Sequence, residues 1–363
     1  MLPRPSLNTD RCADEASVSR SAWPRIVAIG GGTGLPNVLR GLRPLVFGGE
    51  SDQTRDRLTA IVATSDDGGS SGRLRAEFKV IPPGDIRNCL AALSDNQSQI
   101  ADLFQYRFGA GEGLNGHPIG NLVLTALADV TNDFAEAVEI AARVIGAKGV
   151  VLPATAELVT LIAELADGGV LSGETAISAA GGHIRRLALL PERPRCSARV
   201  LDAIESADVI VAGPGSLLTS ILPPLLVPDV AAAIERAHAI RILVANLMTE
   251  PGETDAFGVL EHVLAIERHL GRQLFDCVIY NTSPVPERLG STYGEGGSIP
   301  VIASSFALEV LDRMKVRAIG VPLLSEHPAG KIRHHPERLA ASIGAIAQGK
   351  LGAWRQRTEV GGV

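Results

Sequence analysis

The run Arg25-Ile26-Val27-Ala28-Ile29 stops at Gly30-Gly31-Gly32-Thr33-Gly34, and beyond it Leu35, Val38, Leu39 and Leu42 recur at helical spacing. An apolar run, a glycine turn and an amphipathic segment predict a strand that hands over directly to a helix N-terminus. Similar short runs lie at 58–63, 207–212, 242–246, 277–281 and 316–321, most of them separated by helix-length segments. That alternation predicts an α/β chain with a doubly wound, mainly parallel sheet covered on both faces. Length alone would allow about two domains, but the pattern predicts one domain over 25–345. Residues 150–178 break the rhythm with Asp167-Gly168-Gly169 between two β-compatible arms, which predicts a smaller hairpin and helical insertion near 150–190. Helices are expected before it at 86–107 and 119–145. Residues 1–24 lack the apolar centre of a secretion signal and are expected to form a disordered tail, and 346–363 a loose one.

Glycines directly after a strand let the backbone approach an anion, while the next helix presents free N–H groups and a positive dipole end. Gly31, Gly32, Thr33 and Gly34 are therefore phosphate candidates, although a packing turn would use the same glycines. The dinucleotide fingerprint is absent, because reading G-x-G-x-x-G from Gly30 or Gly32 places Leu35 or Asn37 at the third glycine. No Gly-Lys-Ser/Thr follows, which excludes a P-loop. Gly213-Pro214-Gly215-Ser216 repeats the device after another predicted strand. It lacks the G-x-S-x-G order of a nucleophile elbow, so Ser216 reads as a phosphate donor or helix cap. Two such turns can face one crevice at the carboxyl ends of an open sheet.

The stretch 63–73, ATSDDGGSSGR, is expected on the same sheet edge. Asp66 or Asp67 is suited to a ribose hydroxyl, a nucleobase N–H or Mg²⁺, Ser70 and Ser71 to further polar contacts, and Arg73 and Arg75 to phosphate charge. A lone Asp-Gly would be a solvated turn, but the length of this polar run favours a site. Asp85 is expected as an N-cap with Arg87 and Asn88 in the first helical turn, and 116–121, with His117 and Asn121, starts another helix. A histidine such as His117 more often serves structural hydrogen bonding than catalysis. No HExxH or related spacing occurs, so no zinc site is predicted. A net charge of −6 and 4% aromatic residues argue against nucleic-acid binding. Four dispersed cysteines point to a reduced cytosolic protein. No run of about 18 or more apolar residues is present to span a membrane.

Taken together, GGGTG at 30–34, SDDGGSSGRLR at 65–75, PPGDIRNCLAALSD at 82–95, YRF at 106–108, GHPIGNL at 116–122, GPGSLLTSILPPLL at 213–226 and NLMTEPGETD at 246–255 resemble the gluconeogenesis factor family. These YvcK (GlmR)-like proteins are similar in fold to CofD, the 2-phospho-L-lactate transferase of coenzyme F420 biosynthesis. The resemblance implies a Rossmann-like cytoplasmic protein that binds UDP-N-acetylglucosamine and other UDP-sugars without a required cofactor. It further implies a role in cell shape and wall synthesis on gluconeogenic carbon, through glucosamine-6-phosphate synthase, and allows a homo-oligomer. Asn246, in NLMTEPGETD, is carried into the site. Tyr293 in STYGEGGSIPV and Arg333 in GKIRHHPERLA align with the tyrosine and arginine that bind the UDP-sugar in the family. Three positions depart from the usual pattern: Ser65 for alanine, Pro224 for asparagine and Glu250 for glutamine. The rival expectation is a CofD-like transferase with Mg²⁺ held by Asp66 or Asp67.

Overall fold

The computed structural model describes residues 23–49, 54–95, 99–181, 184–326 and 331–349. Apart from residues 23–24 and 346–349, the expected tails lie outside these. In chain order the strands are β1 (Ile26–Gly30), β2 (Leu58–Val62), β3 (Val150–Pro153), β4 (Thr160–Leu165), β5 (Val170–Ser172), β6 (Ile184–Leu190), β7 (Val209–Ala212), β8 (Ile240–Val244), β9 (Cys277–Asn281), β10 (Arg317–Val321), β11 (Leu324–Glu326) and β12 (Ile332–His334). Helices in the first half are α1 (Gly34–Phe47), α2 (Gly69–Phe78), α3 (Gly84–Leu93), α4 (Gln99–Gln105), α5 (Ile119–Thr131), α6 (Phe134–Val144) and α7 (Glu174–Ala180). The second half adds α8 (Ala198–Glu205), α9 (Leu222–Leu225), α10 (Pro228–Arg236), α11 (Val259–Leu270), α12 (Glu287–Glu295), α13 (Ser305–Arg313) and α14 (Pro336–Ala347).

Seven strands form the main sheet in the order β10-β9-β8-β7-β1-β2-β3, and every neighbouring pair is parallel. All residues of β1 and β2 are buried, because helices cover both sides. Successive side chains of a strand point to opposite faces, so Ile26 and Ala28 enter one core with α1, α3 and α14, while Val27 and Ile29 enter the other with α8, α10 and α11. A strand buried on both faces is apolar at nearly every position, Thr59 being the exception here, which is why these runs read as continuous rather than alternating.

The insertion is a three-stranded antiparallel sheet, β5-β4-β6, with α7 following β5. Its first turn is fixed where the Asp167 carboxylate accepts the Gly169 amide at 2.9 Å. β3 belongs to the parallel sheet, so the insertion begins after Pro153. Each long helix expected before it is two helices. α3 stops at Leu93 and α4 starts at Gln99. α5 ends on Asn132 in the left-handed region, and Asp133 then caps α6 by accepting the Ala135 and Glu136 amides at 2.8 and 3.2 Å. At the far end α14 runs to Ala347 with Ile346 fully buried, two residues past the expected boundary. Its start lies against α1, where a Cβ at Gly41 would overlap the Pro336 carbonyl. Among the described residues no single helix is long and apolar enough to cross a membrane.

Candidate functional site

Strand order reverses between β1 and β7, the switch point at which open α/β sheets hold ligands. The two glycine turns leave the sheet there and touch each other: a Cβ at Gly34 would overlap the Pro214 carbonyl. Above them lies a cleft of about 490 Å³. Of the residues singled out from the sequence, Gly32, Thr33, Gly34, Pro214, Gly215, Ser216, Asn246, Tyr293 and Arg333 line it. Glu250, marked by its departure from the family pattern, lines it too, as do Asn37, Glu174, Ser178, Glu253 and His334, whose chemistry no pattern in the sequence had marked.

Arg333 and Thr33 stand 300 residues apart in sequence, yet Arg333 Nη1 donates to Thr33 Oγ1 at 2.6 Å. The short strand β12 that carries Arg333 is fixed on three sides. Asn37 Nδ2 of α1 donates to the His334 carbonyl at 2.7 Å, His334 Nε2 pairs with the Ala245 carbonyl at 3.0 Å, and the Ile332 amide donates to the Tyr293 hydroxyl at 2.8 Å. Because a carbonyl only accepts, His334 Nε2 carries the proton, and complete burial pushes the imidazole down to about 4. Tyr293 accepts from Ile332 and so keeps its own O–H to donate.

The opposite wall is acidic. Ser216 caps the π-helical turn Leu217–Ile221, accepting the Thr219 amide at 3.2 Å and hydroxyl at 2.7 Å. It donates its own proton to Glu253 at 2.5 Å, and Ser178 donates to the other Glu253 oxygen at 3.2 Å. Burial pushes Glu253 up against the pull of these bonds. Burial and then the nearby Glu253 raise Glu250 to about 7, and its Oε2 is buried without a hydrogen-bond partner among the described residues. Glu174 is raised to about 9 by burial and by the charges of Asp66, Asp85, Asp67 and Glu253. At neutral pH Glu174 is therefore protonated and Glu250 about half so, and a protonated carboxyl donates a hydrogen bond and does not repel an anion.

Asp85 is the second residue of α3, whose cap position is Pro83, so it is not the expected N-cap. Its carboxylate instead accepts the Gly32 amide at 2.6 Å, and burial raises it to about 6. That bond fixes the first glycine turn, whose Gly31 sits directly against Asp85, and takes up one of the amides expected to meet phosphate. Thr33 and Gly34 open α1, where amides have no acceptor within the helix. Gly213 is bound back to Ile29 and leads into the second turn.

Asp66, Asp67, Ser70, Ser71, Arg73, Asp85, Arg87, Asn88, His117 and Asn121 do not line the cleft. Asp67 Oδ1 accepts both the amide and the hydroxyl of Thr175, at 2.9 and 2.7 Å, and thereby seats α7 so that Glu174 and Ser178 reach the cleft. Asp66 accepts the Gly68 amide at 2.9 Å. Asn121 Nδ2 donates to Ser70 Oγ at 3.0 Å, and Ser70 Oγ lies 2.7 Å from His117 Nδ1. Burial and then Arg73 hold the His117 imidazole below its usual range. Arg73 donates to the Asn115 carbonyl and Arg87 to Asn88 Oδ1, both at 2.7 Å. Burial, then repulsion from Arg107, lowers Arg87 to about 10. Ser71 is buried in the first turn of α2. These residues join α2, α3 and α5 beside the cleft.

The magnesium expected at Asp66 or Asp67 needs only one or two carboxylates beside substrate phosphates. Asp67 is committed to Thr175, and among the described residues no three His, Cys, Asp or Glu side chains are grouped to hold an ion.

Residues 26–324 match the family described as 2-phospho-L-lactate transferase CofD. The chain is 42% identical over 320 residues to a gluconeogenesis factor of Bacillus subtilis, covering 88% of this chain and 97% of that one. It is 39% identical over 333 residues to a gluconeogenesis factor of Listeria innocua, covering 92% and 98%. A crystal structure of a UPF0052 family member from Bacillus halodurans superposes with a TM-score of 0.81 at 38% identity, covering 88% of this chain and 99% of that one. With the match running through both glycine turns and most of the sheet, the chain belongs to the CofD family, alongside relatives named gluconeogenesis factors.

Proposed function

We propose that the protein is a cytoplasmic regulator that binds a nucleotide sugar, UDP-N-acetylglucosamine, in the switch-point cleft. One observation carries the reading: Tyr293 and Arg333, from the far end of the chain, converge on the first glycine turn, with Arg333 hydrogen-bonded to Thr33. A diphosphate suits this corner, because the helix N-terminus offers amides and a positive dipole end and the guanidinium offers a planar fork. Tyr293 can pack its ring on a base or sugar face and still donate a hydrogen bond. Opposite, Glu174 and the protonated form of Glu250 can donate to sugar hydroxyl or amide oxygens. A volume of about 490 Å³ lies within the range of about 300–1,000 Å³ typical of small-molecule sites. As a sensor of UDP-N-acetylglucosamine, the protein would adjust the supply of cell-wall precursor, acting on glucosamine-6-phosphate synthase during gluconeogenic growth and so supporting cell shape.

The match to a family described as a transferase supports a second reading, transfer of a phosphate-linked group to an acceptor hydroxyl. It ranks lower because the hydrogen-bonded hydroxyl and imidazole at Ser70 and His117 are buried outside the cleft. Titration calorimetry with UDP-N-acetylglucosamine, UDP-glucose, NAD and GDP, each with and without Mg²⁺, tests both. The regulator reading expects UDP-sugars to bind and to be recovered intact by phosphorus NMR. Nucleotide release in the presence of an acceptor would establish the transferase instead.

A further inference from the structure

A second cavity of about 270 Å³ lies between the insertion sheet and the end of α11, lined by Glu164, Arg185, Arg186, Arg268 and His269. None of these residues lines the switch-point cleft. The gathering of cations has a cause in the strand pairing. β4 and β6 pair Ala163 with Leu187 and Glu164 with Arg186, and then Leu165 with Ile184, so Arg185 is an extra residue in β6. A regular strand sends neighbouring side chains to opposite faces, whereas a bulge re-aims one of them. Arg185 and Arg186 accordingly line the same cavity.

Arg185 pairs with Glu164 at 2.7 Å. Among the described residues Arg186 and Arg268 have no hydrogen-bond or ion-pair partner. Both oppose charge on His269, whose imidazole burial holds below its usual range. The dipole of α11 favours cations such as Arg268 and His269 in its last turn, but it gives no reason for Arg186. In a chain of net charge −6, three arginines against one glutamate give this cavity a local excess of positive charge.

We infer that this cavity is a second binding site, one that takes the phosphate group of a small phosphomonoester. Two free guanidinium forks match a phosphate dianion in charge and in the geometry of paired oxygens. The volume of about 270 Å³ suits a phosphate on a short carbon skeleton, in contrast to the cleft of about 490 Å³.

Titration calorimetry of the full chain with inorganic phosphate and with glucose 6-phosphate tests the inference, the two probes separating a site for the anion alone from one that also reads the ester. Arg186→Gln and Arg268→Gln are each expected to weaken binding about tenfold or more. Glu164→Gln should strengthen it, since Arg185 is then released from its carboxylate. Arg333→Ala, in the other cleft, should leave it unchanged. Circular dichroism checks that each variant is folded. No binding by the parent, unchanged affinity in the Arg186 and Arg268 variants, or loss of binding in Arg333→Ala would overturn the inference.

Discussion

Replacing Glu250 by glutamine should stabilise the protein, and by an amount that depends on pH. The Glu250 carboxyl moves from an ordinary 4.5 in the unfolded chain to about 7 in the fold, through burial and the neighbouring Glu253. Each step of one in pKa corresponds to about 1.4 kcal/mol, so the charged form costs the fold about 3 kcal/mol. The sign follows from proton counting. Below the unfolded value both states hold the proton and nothing is lost. Between 4.5 and about 7 the unfolded chain releases its proton while the fold keeps it, so rising pH favours unfolding. Above the folded value the loss is complete. Glutamine never ionises, and it offers an amide donor where the protonated acid offered a hydroxyl. Urea unfolding of parent and Glu250→Gln, followed by circular dichroism across this window, should therefore show curves that coincide in acid and separate to about 3 kcal/mol at neutral pH. A gap that does not change with pH, or a variant less stable than the parent at neutral pH, would refute the reasoning.

The same wall should make ligand binding take up protons, because a diphosphate brought near Glu250 and Glu253 favours their neutral forms. UDP-N-acetylglucosamine should bind more weakly as pH rises through about 7, and its binding heat should vary with the ionisation enthalpy of the buffer; heat independent of buffer contradicts this. Tyr293→Ala and Arg333→Ala should each weaken that binding by about 1.5–3 kcal/mol in calorimetry, and Arg333→Lys should recover little because a point charge does not reproduce the planar fork. Gly34→Ala should lower stability by about 1–3 kcal/mol in thermal unfolding, since its Cβ meets the Pro214 carbonyl and one of the two turns must move. An unchanged midpoint would mean that the turns are not in contact.

The central sheet was legible because its strands are buried on both faces, which leaves unbroken apolar runs such as Ile26–Gly30. The glycine turns were legible because strand, turn and helix follow one another directly. Long helical periodicity concealed the break at Asn132-Asp133, although Asn and Asp side by side are themselves a stop and a start. Glu174 and Ser178 were invisible as cleft residues. They arrive through the contact of Asp67 with Thr175, between segments 108 residues apart in sequence. Asp85 could be read as polar and helix-initiating, but its acceptance of the Gly32 amide is a tertiary contact that no local signal carries. Tyr293 and Arg333 were marked only by resemblance; their convergence depends on His334 and Asn37 fixing β12.

The most direct measurement is a crystal structure of the protein grown with UDP-N-acetylglucosamine. The account expects density in the switch-point cleft, with the diphosphate beside Thr33, Gly34 and Arg333 and the sugar or base against Tyr293. A nucleotide sugar bound elsewhere, or a cleft that stays empty at concentrations saturating in calorimetry, would contradict it.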